Sequence, residues 1–340
     1  MNNSPLPSEW NTETLMQLHL GFAASRIVAA AVQFDVFSRI ADGCRNFSEI
    51  ARATGASERG MRMLLDALVA MGLVIRAGQQ VELTPAAARY LVRESADYVG
   101  AVMEMETDML WEAWGKLSEA VRSGKPLRAV NQRDAAERFF PSLIRSLHVY
   151  NREPARTMAR ALGAGTSARA MRVLDVGCGS AVWSIAIAEI DREARVTAND
   201  FPPVLELTRE YVRREGLEHR YEFLPGNLRE VDFGAQRFSL AILGNIVHSE
   251  GVDSSRELFR RLHRALVPGG RIAIIDMIPN DTRSGPYYPV MFALNMLVNT
   301  EEGGTYTLTE YSHWLDEAGF AQVDTADFGW HSPLVVGTKA

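Results

Sequence analysis

Residues 173–181, VLDVGCGSA, decide how this chain folds. Val173, Leu174 and Val176 form a short apolar run of the kind a buried strand in a parallel sheet requires. Gly177 and Gly179 then allow a tight turn and let a ligand approach the backbone closely. From about residue 181 the pattern becomes helical. The helix start offers free N–H groups and the positive end of its dipole to whatever occupies the turn.

Working outward, the same alternation repeats. Short apolar runs at 171–177, 195–200, 221–227, 238–245 and 271–278 are separated by amphipathic helical segments. Strands alternating with helices imply an α/β, Rossmann-like domain with a mostly parallel sheet covered on both faces. Within it, SSRELFRRLHRAL (254–266) predicts a helix. Ser254 and Glu257 suggest a capping box, and Pro268-Gly269-Gly270 a stop. Two alternating runs between 321 and 338 predict an antiparallel hairpin that closes the sheet.

Upstream of GAGTSARA (163–170), a small-residue boundary, the texture is helical. Residues 12–41 predict one long apolar helix, too apolar to be solvated on most of its circumference; a second subunit would cover what its own domain cannot. FSEIARATG (47–55) and ASERGMRMLLDALVAMG (56–72) predict helices closed by Gly55 and Gly72. LVIRAGQQVELTP (73–85) predicts a hairpin about Ala77-Gly78. Helix, turn, helix, hairpin is a winged-helix arrangement. Further helices follow over 96–123 and 133–162, with Trp111, Trp114, Phe139, Phe140 and Tyr150 as expected aromatic anchors. The domains are expected at 1–165 and 166–340.

Composition narrows the function. The 340 residues are 47% apolar and 23% charged, with a net charge of −6 and a pI near 5.7. An acidic chain is a poor non-specific nucleic-acid binder. The would-be recognition helix sets Arg59 and Arg62 against Glu58 and Asp66, which suits a protein partner better than phosphates. Cys44 and Cys178 form no metal-ligand or disulfide pattern, so no metal is expected and a reducing, cytoplasmic compartment is. The start MNNSPLPSEW has no signal-peptide pattern, and no uncharged apolar run reaches about 18 residues, so no membrane span is expected.

The glycine turn lacks a third glycine, since Val182 occupies that place, and Asp175 lies two residues before Gly177. That favours a ligand carrying an ammonium and hydroxyls over a pyrophosphate. S-adenosylmethionine has such an end and no phosphates. Asp200 ends the second strand about twenty residues on, where a carboxylate accepts ribose hydroxyls. Asn227 can face an adenine edge or simply make a turn. Phe201, Leu228, Gly244 and Asn245 complete the candidate cofactor-binding set. His248 lies just past the fourth strand, where open sheets bind ligands, and is the side chain suited to take a proton near neutral pH. Asp276 ends the fifth strand, either to orient His248 or to cap the next segment. On the apolar helix 288–299, Met291, Asn295 and Met296 are candidate substrate-pocket residues alongside Tyr150, although such a stripe also reads as core.

These pieces, in this order, resemble the plant-type small-molecule O-methyltransferases, including the caffeate and hydroxyindole enzymes and their bacterial natural-product relatives. The likeness runs through HLGFAASRIVAAAVQFDVF, LTPAAARYL, LWEAWGKLSEAVRSGKP, NDFPPV, NIVHSEG, LVPGGRIAIID and EYSHWLDEAGF. It implies a homodimer through the N-terminal domain, S-adenosylmethionine as donor with S-adenosylhomocysteine as product, and a small-molecule acceptor whose hydroxyl His248 deprotonates. It also implies that Asp200 binds ribose, that Gly177 and Gly179 line the methionine end, and that Asp276 is the acidic residue of the fifth strand. Three departures stand out. The usual His-Asp pair is His248-Ser249, an expected aspartate is Asn227, and a G-G-x-E-R-T segment reads GGTYTLT (303–309) without its glutamate, with Glu301 and Glu302 nearby. Those departures leave one rival, cofactor binding without O-transfer, by C- or N-methylation or other chemistry, and the winged-helix segment leaves another, a DNA-binding regulator.

Overall fold

A computed structural model of the chain describes residue 7 and residues 9–105, 110–126 and 133–340. They form two compact units. One runs up to Glu112 and takes back Arg145–Tyr150; the other holds Ala113–Ile144 and Asn151–Ala340.

In the first unit the predicted long helix is three pieces: α1 (Thr12–His19), α2 (Gly21–Gln33) and α3 (Val36–Ala41). The chain bends at Leu20, and Asp35 adopts a left-handed φ of 55°, which a short polar side chain tolerates. Only the latter part is covered. Ala31, Val32, Phe37 and Ile40 are buried, whereas Leu15, Leu18 and Phe22 stay about half exposed. The stretch Thr12–Gln33, of mean hydropathy 1.4, is long and apolar enough to cross a membrane by length and composition, and little of it is buried. α4 (Phe47–Thr54) starts on Asn46 and ends at Gly55, φ 68°. α5 (Glu58–Ala70) starts on Ser57 and is followed by Gly72, φ 73°. β1 (Val74–Ala77) and β2 (Gln80–Leu83) pair antiparallel. Ile50, Met61, Leu65, Leu68, Val74 and Val81 form the core beneath them. Asp66 forms ion pairs with Arg76 at 2.5 Å and Arg62 at 4.0 Å. α6 (Pro85–Tyr90) and α7 (Gly100–Met105) follow, and the chain leaves this unit within α8 (Trp111–Gly115); α9 (Leu117–Ser123) belongs to the second unit, as does α10 (Arg133–Ala161) apart from Arg145–Tyr150.

The expected anchors are shallower than predicted. Trp111 is 42% exposed, 6.0 Å from Phe22 and capped by Arg26, and Tyr150 is 52% exposed. Amphipathic rings rest at a surface where polar partners are available. Phe139 and Phe140 lie outside the described side chains.

In the second unit the chain runs β3 (Arg172–Val176), α11 (Val182–Ile190), β4 (Arg195–Asp200), α12 (Pro202–Arg214), β5 (Tyr221–Pro225), β6 (Phe238–Gly244), α13 (Val252–Ala265), β7 (Leu266–Ile275), α14 (Tyr287–Asn299), α15 (Leu308–Glu317), β8 (Phe320–Ala326) and β9 (Leu334–Lys339). Seven strands line up as β5-β4-β3-β6-β7-β9-β8. All are parallel except β9, which is antiparallel to both neighbours. Near-continuous apolar strands such as β3 and β6 suit burial on both faces, and a separate core lies on each side of the sheet. After β3 the chain builds outward to β5, then crosses back to lay β6 on the other side of β3. That reversal opens a crevice at the carboxyl ends of β3 and β6.

Two expectations around α13 are corrected. The helix begins at Val252 after Gly251, without a side-chain cap, because Ser254 donates to the Glu250 carboxylate instead. It ends at Ala265, and Pro268–Gly270 belong to the irregular start of β7, where the register against β6 shifts.

Candidate active site

The crevice is built first from the glycine turn. Gly177 and Gly179 hold left-handed φ values of 62° and 54°, which glycine adopts without a Cβ penalty. Between them Cys178 is buried and its N–H donates to Asn199 O at 3.0 Å, pinning the turn to β4. Ile144 of α10 lies 3.7 Å from where a Gly179 Cβ would stand, packed with Val204, Leu207 and Phe201 as an apolar cover.

Asp175, at the end of β3, is 1% exposed. One oxygen accepts from Ser184 Oγ at 2.5 Å, and that hydroxyl in turn accepts from Tyr221 at 3.2 Å. The other oxygen has no partner among the described residues. Burial pushes the carboxyl up to about 7, against the Ser184 hydrogen bond. Asp200 accepts from Gly179 N at 3.0 Å and Phe201 N at 2.8 Å. Burial raises its carboxyl to about 6, and those two N–H groups oppose the rise. Each oxygen keeps acceptor capacity for a further donor. Asn227 uses its side-chain oxygen to take Arg229 N at 3.0 Å, an ordinary turn, and Leu228 O accepts from Arg261 at 2.6 Å.

On the other lip, Gly244 lies under the Trp183 indole, where any Cβ would overlap the ring. Asn245 takes a left-handed φ of 62°, donates N–H to Ile275 O at 2.8 Å, and has no partner for its buried side-chain oxygen among the described residues. The chain then enters a tight turn, Val247–Ser249.

That turn carries His248, 8% exposed, against Asp276, fully buried. The Asp276 carboxylate accepts from His248 Nδ1 at 2.6 Å, His248 N at 3.0 Å and Met277 N at 2.7 Å. One side chain therefore fixes both the ring and the backbone that bears it. Phe292 of α14 meets the imidazole edge-on at 4.9 Å. From there rings continue through Tyr288 (5.9 Å), His331 (4.8 Å) and Trp330 (5.3 Å) to Trp183 (6.3 Å).

Of the helix 288–299 candidates, Asn295 is committed internally, accepting from Trp114 Nε1 at 3.2 Å and Asn299 at 3.1 Å, and Met296 is buried. Met291 is partly buried. Tyr150 belongs to the other unit and is exposed. Glu301 and Glu302 are also exposed. At the place of the missing glutamate stands Tyr306, whose hydroxyl donates to Glu250 O at 2.7 Å. Ser184, Trp183 and Tyr306 had no signature in the sequence. Only Ser184, one turn into the helix that the glycine turn opens, occupied a suggestive position.

Residues 152–321 match the O-methyltransferase domain family, and residues 16–93 its dimerisation domain. The tetracenomycin polyketide synthesis 8-O-methyl transferase of Streptomyces glaucescens is 30% identical, over 96% of each chain. The 3-hydroxy-5-methyl-1-naphthoate 3-O-methyltransferase of Streptomyces sahachiroi is 28% identical, over 96% of this chain and 95% of that one. Among solved structures, an O-methyltransferase family protein from Burkholderia thailandensis superposes with a TM-score of 0.85 at 26% identity, covering 98% of this chain and 99% of that one. Human N-acetylserotonin methyltransferase in complex with SAM shares the fold at a TM-score of 0.85 and 21% identity, covering 98% and 100%. The chain thus belongs to the S-adenosylmethionine-dependent O-methyltransferase family, with that family's dimerisation domain ahead of its catalytic domain.

Proposed function

We propose that the chain methylates a phenolic hydroxyl on a fused-ring natural-product acceptor, with His248 as general base. The observation that carries this is the buried Asp276 carboxylate on His248 Nδ1. An acceptor there assigns the proton to Nδ1 and leaves Nε2 with its lone pair, ready to take a proton. A phenol's pKa near 10 leaves little phenolate at neutral pH, so a base within reach matters. The row of rings beside His248 offers flat faces to an aromatic acceptor. The two Streptomyces relatives, a polyketide-pathway and a naphthoate enzyme by name, support the same acceptor class.

S-adenosylmethionine supplies an already activated methyl when bound, so the protein's task is chiefly alignment and deprotonation. Gly177 and Gly179 admit the ligand to the backbone, and Asp200 takes the ribose hydroxyls on its remaining lone pairs. The orphaned oxygens of Asp175 and Asn245 are waiting acceptors on the two lips, a fit for an ammonium-bearing nucleoside. Phe201, Asn227, Leu228 and Gly244 line the rest. Asp276 acts through His248, holding its tautomer and stabilising the imidazolium. Tyr150, Met291, Asn295 and Met296 remain the acceptor-side candidates.

We assign 1–165 to dimerisation and substrate capping and 166–340 to catalysis, in a cytoplasmic homodimer. The half-exposed apolar side chains of α1 and α2 suit a second copy, and Asp66 draws Arg62 and Arg76 of the winged-helix segment into ion pairs. The test is His248→Ala, assayed with labelled S-adenosylmethionine against a panel of phenols and hydroxynaphthoates. Cofactor binding by calorimetry should persist while transfer slows on the order of 10²–10⁴-fold. Unchanged turnover removes His248 from the mechanism.

A further inference from the structure

We propose that Tyr306 is a positioning residue for methyl transfer: its hydroxyl clamps the turn that carries His248 and so holds the imidazole on Asp276. This rests on His248 being the base.

The turn Val247–Ser249 has weak internal support. Asn245, just before it, sits at a left-handed φ of 62°, and the turn itself closes with Ser249 N to Ile246 O and Glu250 N to Val247 O, each 3.0 Å. Three outside contacts fix it. Asp276 takes His248 N from beneath. Gly304 N donates to His248 O at 2.9 Å, and the Tyr306 hydroxyl donates to Glu250 O at 2.7 Å. The last two come from one loop. Gly303 lets that loop approach, since a Cβ there would stand 2.5 Å from His248 O. Thr300 Oγ1 anchors it by accepting Gly303 N at 3.0 Å.

Tyr306 is itself rigid. It is 6% exposed, with its ring edge-on to Trp314 at 4.8 Å and to Tyr311 at 6.2 Å. Burial, then the negative charge of Asp276, raises its phenol above the usual value, so it stays protonated and a donor. The Glu250 side chain cannot replace the clamp, because Arg229 at 2.7 Å and Ser254 at 2.5 Å hold it elsewhere. A neutral donor to the backbone thus stands at the position where the resembled family carries its glutamate. It supports the imidazole by geometry, not by charge.

Tyr306→Phe removes the hydroxyl and keeps the ring. With the best acceptor of the panel, kcat should fall about tenfold while KM for S-adenosylmethionine stays within about twofold. The discriminating measurement is the same change in a His248→Ala background. If Tyr306 acts through His248, the further loss there should be under about twofold. Should the phenylalanine variant fold poorly by its melting curve, Thr300→Val loosens the same loop from its other end and is read in the same pair of backgrounds. Unchanged kcat, or an equal loss in both backgrounds, overturns the proposal and leaves the base assignment standing. Failure of that assignment shows separately, as normal turnover of His248→Ala alone.

Discussion

Asp276→Asn is the sharpest perturbation the site allows. The carboxylate receives three N–H donors, two on Oδ1 and one on Oδ2, with no exposure to water. An amide has one acceptor oxygen, so one NH2 must face a donor. With the oxygen at the Oδ1 position, His248 Nδ1 and Met277 N keep their bonds, but the amide collides with the His248 N–H. The imidazolium formed on proton abstraction then faces a neutral group. With the amide reversed, its NH2 donates to Nδ1, the ring proton moves to Nε2, and the base is disabled. Losing a charge-assisted buried hydrogen bond costs about 1.5–3 kcal/mol, which lowers the melting midpoint by about 3–12 °C in a domain of this size. The catalytic penalty is larger, because the wrong tautomer cannot accept a proton; the equivalent change in the Ser-His-Asp triad costs about 10⁴. We expect kcat to fall 10²–10⁴-fold, on the order set by loss of a general base, with cofactor affinity little changed. The assay is single-turnover transfer from labelled S-adenosylmethionine, read beside a melting curve. A folded variant with kcat within about threefold of the parent would refute the reasoning.

Cofactor binding should depend on pH through Asp200 and Asp175, held near 6 and 7 by burial. The fold favours their protonated forms, so their contribution to the free protein's stability is complete below the ordinary carboxylate range and is lost as pH rises through 6 to 7. Ribose hydroxyls prefer the ionised Asp200, so affinity should run the other way, falling up to about tenfold per pH unit below 6. Calorimetric titrations from pH 5 to 8 check this, and Asp200→Asn should flatten the profile; an affinity indifferent to pH in the parent contradicts the ribose role. The exposed stripe on α1 gives a second check. Leu15→Glu with Leu18→Glu should convert a dimer to a monomer in light scattering, and a dimer that survives both charges locates the interface elsewhere.

The second unit was legible because its signals are periodic. Short apolar runs alternating with amphipathic helices, and glycines that require positive φ, translate directly into strands, layers and turns. His248 and Asp276 could be paired because strand ends in such a sheet face one crevice. Other features had no period to betray them. Ser254 looks like a cap by spacing, but its hydroxyl finds the Glu250 carboxylate first. Trp183 over Gly244, and Tyr306 on Glu250 O, join residues 61 and 56 positions apart, and no local pattern encodes such a contact. The aromatic residues Trp111 and Tyr150 read as anchors in the sequence because hydrophobic bulk does not reveal which side of a helix meets water.

The placement of β9 has a consequence for how the protein is made. The strand that lies between β7 and β8 is the last of the seven to be synthesised. Until Leu334–Lys339 arrives, the edge of β7 away from β6 presents a bare row of amides and carbonyls, a few residues before Asp276. A nascent chain in that condition is a template for another unfinished copy. Slow translation through Leu334–Lys339, or a nick just before it, should therefore yield aggregates sooner than a trimmed, still-working enzyme.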